Sequence, residues 1–189
     1  MPVKNVKELI ALAKRRPGQL ANGSAGTGTV GHLAGEYFKM MSGTEILHVP
    51  YKGGAQAATD VMSGQVQLMF DPASGVAPHV RSGRLRGLGV TGTARTKAFP
   101  DLPTIAESGL PGYEVTTWGG IIVPKGVPRA IVTRLSEEVR KAGRASTLVE
   151  RYAALGADPV TSMPEEFTNF IRQEYLKWAK VVKLAKIEP

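Results

Sequence analysis

Between Asn22 and Gly31 the chain reads Asn-Gly-Ser-Ala-Gly-Thr-Gly-Thr-Val-Gly, with four glycines and three hydroxyl side chains in ten residues. Glycines let backbone amides approach a ligand closely, and a helix opening just after them adds the positive end of its dipole. Such a loop attracts an anion. Three chemistries fit it. In the first, Gly26-x-Gly28-x-x-Gly31 is a dinucleotide-binding turn holding a pyrophosphate. That site wants an acidic residue after the next strand, but the chain has His48-Val-Pro-Tyr-Lys52 there, so the cofactor would be of the NADP type, with Lys52 on a 2′-phosphate. In the second, Asn22-Gly-Ser24-Ala-Gly26 departs from a nucleophile elbow only at its first position. Ser24, Asp71 and His79 then follow in the order of a hydrolase triad, whose geometry spacing alone does not show. In the third, backbone amides and the hydroxyls of Ser24, Thr27 and Thr29 hold a carboxylate and no reaction follows. A tight turn without a ligand is the structural alternative. A Walker-type phosphate loop is excluded, because no lysine follows Gly28.

The elements around the loop follow from periodicity and caps. Asn5-x-x-Glu8 opens a helix with Val6, Leu9, Ile10 and Ala13 on one face, and Pro17-Gly18 ends it. A strand at 19–22 leads into the glycine loop. A helix over 29–41 turns Leu33, Tyr37 and Met40/Met41 inward and stops at Gly43. Strands at 46–51, 66–70 and 85–91 alternate with helices at 55–62 and 74–81, the pattern of a mostly parallel α/β sheet. Residues 92–112 are rich in proline and glycine, with a short helix at 104–108. Residues 113–123 are extended and contain Trp118. Helices follow from Pro128, with Ile131, Val132, Leu135 and Val139 inward, and over 147–154. A last helix is capped by Ser162-x-x-Glu165 and striped by Phe167, Phe170/Ile171, Tyr175, Trp178 and Val182. The chain thus divides into 1–115, which alternates strand and helix, and 116–189, whose apolar helix faces need a partner surface.

Composition narrows the function. The hydrophobic and charged fractions, 42% and 21%, are those of a globular domain, and no apolar run is long enough to span a bilayer. There is no cysteine, which removes disulfides, iron–sulfur clusters and thiolate zinc sites. Three histidines at unrelated spacings make no metal motif, and no carboxylate pair suggests acid–base catalysis. The net charge of +8 is spread along the chain without interleaved aromatic residues, so it reads as a solvated surface and not a nucleic-acid site.

Further motifs carry a resemblance. They are His48-Val-Pro-Tyr-Lys-Gly53, the run Gly53-Gly-Ala55 to Asp60-Val-Met-Ser-Gly64-Gln-Val-Gln-Leu-Met-Phe-Asp71, Gly83-Arg-Leu-Arg-Gly-Leu-Gly-Val-Thr91, Pro100-Asp-Leu-Pro-Thr-Ile-Ala-Glu107, Gly109-Leu-Pro-Gly-Tyr113, Trp118-Gly-Gly and Pro124-x-Gly-x-Pro128. With the glycine loop and His32-Leu33, they make the chain resemble the substrate-binding proteins of tripartite tricarboxylate transporters, the Bug family, over essentially its whole length. The resemblance implies an α/β, periplasmic-binding-protein-like (flytrap) fold. It implies a receptor that captures a small di- or tricarboxylate or related organic acid for membrane permease subunits. It also implies no enzymatic activity, no cofactor and a periplasmic location.

The chain departs from the family at its start, where neither a signal peptide nor the opening of a first lobe is found. Residues 1–115 match a second lobe, and residues 116–189 match a crossover segment with C-terminal helices of an incomplete first lobe. The expectation is a truncated receptor, cytoplasmic if this is the complete product, able to form a homodimer through its uncovered apolar helices. The resemblance places Ser24, Thr27, Gly28 and Thr29 around a ligand carboxylate. It places Tyr51, Lys52 and Gly53 at a strand end facing the ligand, with Lys52 equally plausible as plain surface. His32 either touches ligand or packs against the loop. Asp71 either bonds a ligand hydroxyl, amine, water or protonated acid, or caps the helix that follows. His48 is expected to pack, His79 to be solvated, and Trp118 to pack at the crossover.

Overall fold

The computed structural model describes residues 1–157 and 159–187. The elements in order are α1 (Val6–Arg15), β1 (Leu20–Ser24), α2 (Val30–Ser42), β2 (Ile46–Pro50), α3 (Gly54–Ser63), β3 (Leu68–Met69), α4 (Ala73–Arg81), α5 (Arg129–Gly143), α6 (Ser146–Ala154) and α7 (Pro164–Leu184). The three strands form one parallel sheet in the order β2-β1-β3. Leu20 pairs with Ile46 and Ser24 with Pro50 on one side of β1, and Asn22 pairs with Leu68 on the other. The chain moves outward from β1 to β2, then returns past β1 to lay down β3. All three strands run in the same direction, so their C-terminal ends and the loops that follow them lie along one edge of the sheet.

Local chemistry explains most boundaries. Asn5 accepts from the Glu8 N–H at 2.9 Å, the first half of a capping box, but the Glu8 carboxylate accepts from the Lys4 N–H at 2.8 Å, one residue before the cap. Gly43 and Gly64 end α2 and α3 in the left-handed conformation. The core joins Val6, Leu9, Leu12 and Ala13 of α1 to Leu20, Ile46 and Leu68 of the sheet, Ala34 and Phe38 of α2, and Ile105, Leu110, Tyr113 and Val115 of the irregular stretch beyond α4.

Four expectations are corrected. The buried face of α2 is Gly31, His32, Ala34, Gly35, Phe38 and Ser42, while Met40 is exposed and Leu33, Tyr37 and Met41 are only half-buried. Small residues let this helix press onto β1, so the face that packs is not the greasiest one. A β-carbon on Gly35 would collide with the Asn22 side chain. The strand expected at 85–91 is irregular, held by one bridge between Val90 and Thr104. Its neighbour is a proline-rich loop that supplies a single pair of bonds, Val90 N–H to Pro103 O and Val90 O from Ile105 N–H, both 2.9 Å. The helix expected at 104–108 is one capped turn, with Thr104 Oγ1 accepting from Glu107 N–H. The final helix starts one residue later than expected: Pro164 takes its first position, and Glu166 accepts from Met163 N–H at 2.8 Å.

Beyond residue 116 burial is sparse. Helix α7 rests on α2 through Trp178, whose ring meets Tyr37 edge-on at 6.2 Å, and through the buried Val181. Trp118 packs edge-on against Phe167 and Phe170 at 5.6 and 5.5 Å, a packing role as expected. Helices α5 and α6 contain no buried residue, and the stripe Ile131, Leu135 and Val139 faces outward, as do Ile171 and Tyr175 of α7.

Candidate functional site

The C-terminal edge of the sheet gathers three strand ends and three helix starts. Helix α2 opens after β1, α3 after β2 and α4 after β3, through loops 25–29, 51–53 and 70–72. Each helix start presents amides without an intrahelical acceptor and a partial positive charge.

The loop after β1 is organised by its own hydrogen bonds. Ser24 is 1% exposed, and its Oγ lies 3.1 Å from both the N–H and the carbonyl of Gly26. Thr29 Oγ1 donates to the Gly26 carbonyl at 2.7 Å, and Thr29 N–H bonds the same oxygen at 3.3 Å. Gly28 N–H donates to His32 Nδ1 at 3.1 Å. Of the residues expected around a carboxylate, Ser24 and Thr29 thus turn inward to shape the loop, while Thr27 and Gly28 are exposed. Among the described residues the N–H groups of Ala25 and Thr27 have no protein acceptor. Gly26 and Gly28 adopt φ of 135° and 77°, conformations that require glycine.

His32 is buried and packs against the loop. Its ring stacks on that of His48, with centroids 3.7 Å apart and planes 12° from parallel. His48 Nε2 lies 2.6 Å from Ser24 Oγ. Burial lowers the pKa of His32, with Glu36 opposing and Lys39 reinforcing the shift. Burial, and then the neighbouring His32, lower His48 to about 4. Both rings are therefore neutral near pH 7. Beyond the packing role its sequence suggests, His48 thus contacts Ser24. Strand periodicity carried the signal: Ser24 pairs with Pro50, so His48, two residues earlier, shares its face.

Tyr51 lays its ring over Gly23 and donates its hydroxyl to Asp60 at 2.7 Å, which makes it a brace between β2 and α3. Lys52 is exposed, and its N–H bonds Gln56 Oε1 at 3.3 Å. Gly53 is extended, just before α3. The Asp71 carboxylate lies between the first turns of α3 and α4, so close to Gly75 that a β-carbon there would collide with Oδ2, and 3.0 Å from where one would stand on Gly54. Burial raises its pKa. It does not cap α4 as one reading expected, since Pro72 holds the cap position and makes no side-chain bond.

The triad order Ser24, Asp71, His79 is not assembled. The imidazole on Ser24 belongs to His48, and His79 Nδ1 is bonded to Arg84 at 2.8 Å. Among the described residues no group of three histidine or carboxylate side chains could hold a metal ion. No helix is long and apolar enough to cross a membrane among these residues.

Residues 1–187 match the tripartite tricarboxylate transporter family receptor. The chain belongs to this family. It is 38% identical over 180 residues to a protein encoded in the tcbD-tcbE intergenic region of Pseudomonas sp. strain P51, covering 95% of this chain and 54% of that protein. Among solved structures it is similar to R. palustris Rpa4515 with adipate, with a TM-score of 0.85 and 38% identity, over all of this chain and 63% of that one. It is also similar to the periplasmic binding protein BugD, with a TM-score of 0.80 and 33% identity, over all of this chain and 64% of that one. The chain spans about half the length of the curated relatives it matches.

Membership fixes the class of fold. The fold is that of periplasmic binding proteins, an α/β architecture around a parallel sheet. Members are receptors for transporters, not enzymes, which sets aside both the hydrolase and the dinucleotide readings of the glycine loop. The third glycine of Gly26-x-Gly28-x-x-Gly31 nevertheless does here what that spacing does elsewhere. Gly31 brings α2 so close to the residue after β3 that a β-carbon would strike the Phe70 carbonyl oxygen.

Proposed function

We propose that the C-terminal edge of the sheet receives a carboxylate of a small di- or tricarboxylate, or a related organic acid, for delivery to membrane permease subunits from the periplasm. The carrying observation is that three helix starts lie along one edge of the sheet, with the Ala25 and Thr27 amides unengaged among the described residues and the exposed Thr27 beside them. A carboxylate placed there completes hydrogen bonds that the loop leaves open, and the exposed Lys52 adds a cation at the same edge. Ser24 and Thr29 act by holding the loop, and Gly28 and Gly53 by keeping the backbone accessible. An ionised Asp71 carboxylate only accepts hydrogen bonds, so it suits a ligand hydroxyl, amine or protonated acid better than a bare carboxylate. In this reading residues 1–115 are one wall of a two-lobed cleft, and residues 116–189 cross to the other. The adipate named with R. palustris Rpa4515 supports a dicarboxylate as first choice.

Calorimetry with adipate, malate and citrate tests the reading. Saturable binding with a Kd of ~1 mM or tighter is expected, equivalent to about 4 kcal/mol. Ser24→Ala combined with Thr27→Val should weaken it by about tenfold or more, the scale of one lost charge-assisted hydrogen bond. Absence of saturable heat with all three acids, from a chain that circular dichroism shows to be folded, would overturn the assignment.

A further inference from the structure

Two histidines close the glycine loop from behind. His48, on β2, reaches Ser24 Oγ at the start of the loop at 2.6 Å, and His32, on α2, takes the Gly28 N–H near its end at 3.1 Å. The rings lie face to face at 3.7 Å, so the two ends of the loop are joined through one stacked pair. We propose that the His32–His48 stack is a proton-released staple that fixes the shape of the 24–29 loop when both rings are neutral and lets it go when they are charged. That this loop meets a carboxylate is the reading given above. The staple itself operates without ligand.

The chemistry is set by the acceptor role of His32. An imidazole nitrogen that accepts a hydrogen bond carries no proton, so neutral His32 holds its proton on Nε2, which lies 3.8 Å from Glu36 Oε1. Protonation puts a second N–H on Nδ1, aimed at the Gly28 N–H, and two donors cannot share that bond. A second positive ring 3.7 Å from the first is opposed by direct repulsion. The charged groups around the pair are Glu36 and Lys39 of α2, paired with each other at 2.8 Å, and Lys186 beyond α7. These side chains, with Thr27, line an open cavity of about 420 Å³ against the two rings, which gives protons a route to them.

The pH window follows from the direction of the shifts. Both rings have lowered pKa values in the fold, and His48 titrates at about 4. Unfolded histidines take up protons near ~6.5. The folded chain therefore binds fewer protons than the unfolded one between those limits. The staple's contribution is complete above about 6.5 and is lost as the pH falls toward the folded value.

Amide hydrogen exchange by ¹⁵N NMR, without ligand, tests this. The protection factor of the Gly28 amide should fall about tenfold or more from about pH 7.5 to about pH 4, while core amides such as that of Phe38 keep theirs. His32→Asn places an amide oxygen where Nδ1 stands and cannot titrate, so Gly28 should stay protected at both pH values. Equal pH dependence in the wild type and in His32→Asn would overturn the staple. If the variant does not fold, the imidazole ¹⁵N spectrum of the wild type decides. An unprotonated His32 Nδ1 near neutral pH is required, and a protonated one refutes the proposal. None of these readouts involves an organic acid, so failure of the staple and failure of ligand binding remain separate results.

Discussion

Adding one methyl group at Gly31 is expected to destabilise the fold by about 1–3 kcal/mol and to abolish organic-acid binding, whereas the same change at Gly53 should alter stability by less than about 0.5 kcal/mol. The new β-carbon of Gly31→Ala would meet the backbone carbonyl oxygen of Phe70, which no rotamer change can move aside. Relief requires the first turn of α2 to lift off the residue after β3, and that turn carries the loop's terminal amides and His32. At Gly53 a β-carbon meets nothing, and the backbone there is extended, a conformation any residue adopts. Urea unfolding followed by circular dichroism gives both values, and calorimetry with adipate gives the binding loss. Equal midpoints for Gly31→Ala and Gly53→Ala would show that α2 does not need this close approach.

Removing the ring of Phe38 should cost more, about 3–5 kcal/mol, a large share of the 5–15 kcal/mol that holds an ordinary domain together. Phe38 is fully buried and lies between Phe70, at 5.6 Å, and Tyr113, edge-on at 6.2 Å. It therefore joins α2 to the sheet and to the irregular stretch beyond α4. A urea midpoint unchanged in Phe38→Ala would mean that this packing is not formed in solution. A loss near 1 kcal/mol would mean that the neighbours collapse into the space.

The positions of α1, β1, α2, β2, α3 and α4 were legible because each ends on a residue with a local reason to end it there. Asn5 with Glu8, Gly43, Gly64 and Pro72 are examples, and the glycine loop announced the strand-to-helix turn. Depth was not legible. Hydrophobicity chose Leu33 and Met40 for the inner face of α2, but the sheet admits Gly31, Ala34 and Gly35, because close approach rewards absent side chains as much as apolar ones. The stretch at 85–91 has the composition of a strand and lacks only a strand to pair with, a property of the partner and not of the segment.

At the site, residue types were readable and directions were not. Ser24 and Thr29 look like ligand hydroxyls in sequence, yet both spend their bonds on the Gly26 backbone. His48 looks like a packing residue but reaches Ser24, because strand pairing brings together positions 24 residues apart. The family resemblance rested on motifs spread over the whole chain and named the class of protein that the comparisons show.

The Tyr113 hydroxyl donates to the Ala34 carbonyl at 2.9 Å, across 79 residues of sequence. Its ring, with Ile105, Leu110 and Val115, closes the hydrophobic interior that α1 and α2 begin. During synthesis the early helices and strands leave the ribosome well before the residues that cover them, and at ordinary elongation rates the gap lasts several seconds. Until then Phe38 lacks the Tyr113 ring that packs edge-on against it. The interior is thus complete only once its last irregular stretch is in place, whatever the state of its sheet.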